Sequence, residues 1–112
     1  MWLATQHGFY SIVEKSPGEF HIRARCRKDL ENLVDLSGLD VAIIDTPTGD
    51  YAWRIVTGQG EVAKVLASMC NSIDYSNFKH RIHDLPDQRD KASIYSRLWS
   101  QLYTFQSRQK NA

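Results

Sequence analysis

Residues 8–25, "GFYSIVEKSPGEFHIRAR", decide the fold. At the centre stands Ser16-Pro17-Gly18-Glu19, in which proline presets one turn dihedral and glycine permits a positive φ. Beyond the turn, Phe20, Ile22 and Ala24 alternate with His21, Arg23 and Arg25. That period of two describes a strand with one buried and one polar face, so the stretch reads as a hairpin. The next segment, "CRKDLENLVDLSG", changes period: Leu30, Leu33 and Val34 share one helical stripe, and Gly38 is positioned to stop the helix.

The same order recurs downstream. "VAIIDTPTGDYAWRIVTG" offers two strands around a Pro/Gly turn, and "GEVAKVLASMCNSI" places Val62, Val65, Leu66, Met69 and Ile73 on one helical face. At an offset of 31 residues Ile12 aligns with Ile43, Gly18 with Gly49, Phe20 with Tyr51 and Arg23 with Arg54. The helices align at an offset of 32, with Asp29 on Glu61 and Leu33 on Val65. This reads as an internal ββα repeat, set against the plainer view that any two hairpin–helix units look alike. The predicted fold is α+β: two ββα units forming a four-stranded antiparallel sheet of ferredoxin-like flavour, with helices on one face.

Two further helices are predicted. Ser76 is placed to cap one carrying Phe78, Ile82 and Leu85, which Pro86 ends. "DQRDKASIYSRLWSQLYTFQ" gives the longest helix, whose apolar stripe is widened by Tyr95, Trp99 and Tyr103. The reading is a single domain over residues 1–106, followed by "SRQKNA" (107–112) as a disordered tail.

Bulk properties bound the function. In 112 residues, 42% hydrophobic and 11% aromatic content argues for a real core and against wholesale disorder. A net charge of +1 argues against a polyanion binder driven by charge alone. The charge is uneven: residues 37–74 carry two Lys/Arg against five Asp/Glu, and residues 75–112 carry seven against three. Cys26 and Cys70 lie far apart and in no C-x-x-C spacing, which suits two buried thiols in a reducing cytosol. No stretch approaches the roughly 20 apolar residues that span a bilayer, and "MWLATQHGFY" lacks the pattern of a secretion signal. The expectation is a soluble, cytoplasmic protein with no membrane partner.

Three constellations carry chemistry. His21, Arg23 and Arg25 project from one side of one strand, and Arg54 is expected on the same side of its sister strand. Guanidinium groups on a sheet face suit the phosphates of a nucleotide or RNA. The bland alternative pairs them with Glu14, Glu19, Asp45 and Asp50 on neighbouring strands. Tyr51 and Trp53 alternate away from Arg54, which weighs against their serving as stacking partners on that face. Second, "IDYSNFKHRIHD" (73–84) sets His80 and His83 three apart with Asp84 beside them, a spacing that brings two imidazoles to one metal. The local sequence supplies no further Cys or His ligand, so a wet helix face is the more economical reading and no metal is assigned. Third, "TGQGEV" (57–62) resembles the start of a phosphate loop but lacks its lysine and spacing.

Several segments carry a wider likeness: "GFYSIV", "RARCRKDLENL", "DYAWRI", "IDYSNFK" and "YSRLWSQLY". Across residues 2–105 the chain resembles a family of short proteins from bacterial and phage genomes that carries no assigned activity. The resemblance implies no catalytic residue and no cofactor. A phage setting would suit a small counter-defence protein that acts on a host complex or a signalling nucleotide.

The expected function is therefore a non-enzymatic binding or interaction protein. It would form a homo-oligomer through Tyr95, Leu98, Trp99, Leu102 and Tyr103, or meet a protein partner. The alternative is an RNA- or nucleotide-binding domain using His21, Arg23, Arg25 and Arg54. A metal-dependent hydrolase using His80, His83 and Asp84 ranks last.

Overall fold

The computed structural model describes residues 1–112, which divide into two compact units, Met1–Asp74 and Tyr75–Ala112. The first unit is built on one antiparallel sheet. Its strands are β1 (Trp2–Thr5), β2 (Gly8–Ser16), β3 (Glu19–Ala24), β4 (Ile44–Asp45) and β5 (Trp53–Thr57), in the spatial order β1-β2-β3-β5-β4. Helix α1 (Arg27–Ser37) follows the first hairpin and α2 (Gln59–Asn71) follows the second.

The hairpin is where the alternation placed it. Ile12 pairs with Ile22 and Val13 with His21, and Gly18 takes a φ of 78° in the turn. The side chains that alternate inward, Tyr10, Ile12, Ile22, Ala24 and Ile55, meet Leu30 and Leu33 of α1 and Val62, Val65 and Met69 of α2 in one core. Full burial of a Leu, Ile or Val side chain contributes about 1.5–3 kcal/mol, so these residues dominate the energetics of the unit. Gly38 ends α1 in the left-handed conformation, φ 70°, and its N–H bonds the Val34 carbonyl at 2.9 Å.

The sheet has five strands where the sequence suggested four. The extra strand, β1, adds to the edge of β2, and Met1 exchanges both backbone hydrogen bonds with Ile12 at 2.8 Å. Thr5 shapes the β1–β2 turn: its Oγ1 donates to the Gly8 carbonyl and accepts from the His7 and Gly8 N–H groups. Gly8 cannot carry a side chain, because a Cβ there would stand 2.5 Å from Cβ and Cγ of Asp29. Asp29 is itself buried in the first turn of α1, where its Oδ2 accepts from the Phe9 N–H.

The second hairpin departs from the first. β4 has only two residues, and residues 46–52 form a wide loop closed by the Thr46 N–H on the Ala52 carbonyl at 2.7 Å. Asp45 stands opposite Trp53, so the offset of 31 that holds between β3 and β5 is lost in β4.

The second unit contains α3 (Phe78–Asp84), a 3-10 turn (Arg89–Lys91) and α4 (Ala92–Lys110). Asn77, not Ser76, caps α3: its Oδ1 accepts from the His80 N–H at 2.8 Å. The rings of Phe78 and Tyr95 pack 5.2 Å apart, joining the two helices. Helix α4 continues through Lys110, so residues 107–110, read from sequence as part of a tail, are helical.

Candidate anion site on the sheet

Strand register sets the site. Trp2 stands opposite Ser11, Ser11 opposite Arg23, Arg23 opposite Arg54, and Arg54 opposite Ile44. These five residues form one row across all five strands, on the face opposite the core. A second row on that face runs Val13, His21, Val56. Arg23 and Arg54, the pair that the internal repeat aligns, thus meet directly across the β3–β5 junction.

The cations are held by neutral partners. Arg23 donates from Nη2 to Ser11 Oγ at 2.7 Å. Its guanidinium lies 4.5 Å from the centroid of the Tyr51 ring, and that of Arg25 lies 4.1 Å from the same ring. Arg25 also donates to the Asp50 backbone carbonyl. Arg54 Nη1 meets His21 Nδ1 at 3.1 Å, and His21 Nε2 meets Glu19 Oε2 at 3.1 Å. A guanidinium only donates, so Nδ1 of His21 is the acceptor and its ring proton sits on Nε2, facing Glu19.

The bland ion-pair reading of these arginines does not hold. Glu14 accepts from the Gly18 N–H, Glu19 faces His21, Asp45 faces Arg27, and Asp50 offers Arg25 its carbonyl and not its carboxylate. Arg23, Arg25 and Arg54 have no carboxylate partner. Arg23 and Arg54 are direct cross-strand partners in the register, and like charges at such a pair are destabilising. The Nε–H groups of Arg23 and Arg54 are moreover buried without an acceptor. Leaving such a donor desolvated costs about 1–3 kcal/mol. A bound anion would offset the like-charge cost through charge-assisted hydrogen bonds.

Tyr51 and Trp53 take separate places. Because residue 51 lies in the wide loop and not on a strand, strict alternation does not govern it, and its ring joins the arginine side. That ring is only 3% exposed beneath the two cations, so it supports them and offers no free stacking surface. Trp53 stands opposite Ala24 and packs on the core.

Cys26 and Cys70, expected from sequence to be buried, are both exposed. His80, His83 and Asp84 are exposed on α3, and no group of three His, Cys, Asp or Glu side chains is spaced to hold a metal. At the start of α2, Glu61 stands in the first turn with its carboxylate against Gly58. Negative charge therefore already occupies this helix N-terminus, and Asp40 lines the same groove. Of the aromatic stripe on α4, Tyr95 is buried against Phe78, while Leu98, Trp99, Leu102 and Tyr103 are exposed. No helix is long and apolar enough to cross a membrane.

Trp2 was missed by sequence reasoning, because a strand of four residues at the start of the chain gives little periodicity. The available signal was the alternation in "MWLAT" before the Thr5–Gly8 turn. No protein-family model, curated protein or solved structure matches the chain.

Proposed function

We propose that this protein binds a phosphate-bearing ligand on the sheet face that carries Arg23, Arg25 and Arg54, and that it acts by binding and not by turnover. The observation that carries this reading is the unneutralised arginine cluster: three guanidinium groups without a carboxylate, two with buried Nε–H donors lacking acceptors. The polar neighbours support holding the cations in place. Ser11 accepts from Arg23, and both ring nitrogens of His21 are engaged. A nucleotide or RNA is the ligand class in view. A counter-defence role, in which a signalling nucleotide is sequestered, is part of the same proposal. Calorimetric titration with inorganic tripolyphosphate and with nucleoside triphosphates tests the reading. Saturable binding that disappears in Arg23→Ala/Arg54→Ala is expected; binding unchanged in that variant would rule it out.

A second reading concerns α4. Tyr95, Leu98, Leu102 and Phe105 follow the three–four–three spacing of a coiled-coil seam, and the last three are exposed. That spacing supports self-association through α4 of a second copy. Sedimentation is expected to show a dimer that Leu102→Asp dissociates; a monomer at high protein concentration would remove this reading.

A further inference from the structure

We infer that the phosphate-bearing ligand is a single nucleotide whose base stacks on Trp2 while its phosphates lie on Arg23 and Arg54. The inference rests on the proposed anion site and adds a base-recognition subsite to it. Trp2 is 70% exposed, although its strand is fixed to β2 along its whole length. Trp2 thus presents its indole to water from a paired edge strand. Phe9 meets it edge-on at 5.8 Å and 66°, which holds the indole from the side. Ala4, opposite Phe9 on the same face, has only a methyl group to crowd the indole.

The spacing then selects the ligand. Trp2 and Arg23 occupy the same row two strands apart, about 10 Å at ordinary strand separation. Arg54 lies one strand further. A base on Trp2 therefore leaves its ribose above Ser11 and its outer phosphates between the guanidinium groups. The row offers one free aromatic ring and one cation cluster, because Tyr51 is covered. That pattern matches one base with one chain of phosphates. A single-stranded nucleic acid would call for repeated rings along a basic track.

Titrations of wild type and Trp2→Ala with ATP, UTP and inorganic tripolyphosphate separate the base subsite from the phosphate subsite. Wild type is expected to bind the nucleotides at least tenfold more tightly than tripolyphosphate, about the size of one base–aromatic stack. Trp2→Ala should erase that advantage and leave tripolyphosphate affinity unchanged, whereas Trp2→Phe should retain most of it. Circular dichroism checks that the variants fold. Nucleotide affinity unaltered in Trp2→Ala, or nucleotide and tripolyphosphate affinity falling together, would overturn the inference while leaving the anion site standing. Binding that strengthens with oligonucleotide length would also overturn it. If no phosphate compound binds wild type, the anion site itself fails.

Discussion

Two neighbouring rows of the same sheet point to opposite faces and follow opposite rules. Ile12, Ile22 and Ile55 stand side by side on the helix-covered face, all buried. One residue along each strand, Ser11, Arg23 and Arg54 stand side by side on the other face. The first row is what the fold needs: apolar side chains removed from water. The second sets like charges opposite each other and leaves buried donors without acceptors. A surface built only for stability would place a carboxylate between those arginines. The proposed anion site rests on that difference.

Substitutions can break that contrast. The largest expected loss is at the core row, where Ile22→Ala should destabilise by about 2–5 kcal/mol in denaturant unfolding. Next comes Gly8→Ala, whose new methyl group meets the Asp29 side chain; overpacking of this kind costs about 1–3 kcal/mol and should show as a lower melting temperature. Tyr51→Leu removes the ring beneath Arg23 and Arg25, for an expected loss of about 0.5–2 kcal/mol. The sharpest test is Arg54→Leu. It ends the repulsion with Arg23, so stability should hold or rise by up to about 1 kcal/mol while tripolyphosphate binding is lost. A large loss of stability there would show that the second row serves the fold after all. Smallest of all, Leu102→Ser on the exposed stripe of α4 should shift stability by no more than about 0.5 kcal/mol.

Local chemistry made much of this legible. Pro17-Gly18 announced the turn, alternation over Phe20 to Arg25 announced which side of β3 is buried, and Gly38 announced the end of α1. The shared face of Arg23 and Arg54 followed from the repeat, because the pairing that joins β3 to β5 sets equivalent residues side by side. What was illegible depends on contacts distant in sequence. β1 is defined by its partner β2 and not by its own four residues. The cation pair over Tyr51 depends on a loop whose width only the register of β4 reveals. The acids were legible as residue types, but their partners were not: Asp45 turns to Arg27, which lies beyond the end of β3.

The edge strand β1 has one more effect. β3 and β5 run antiparallel, so the Arg23–Arg54 pair sits on a local two-fold, and those two charges alone do not distinguish one end of a guest from the other. On one flank the row continues to Ser11 and an indole, on the other to the aliphatic Ile44 at a two-residue edge. Four residues at the head of the chain thus give the surface a polarity, which in the proposed complex would set a single orientation for a lopsided ligand.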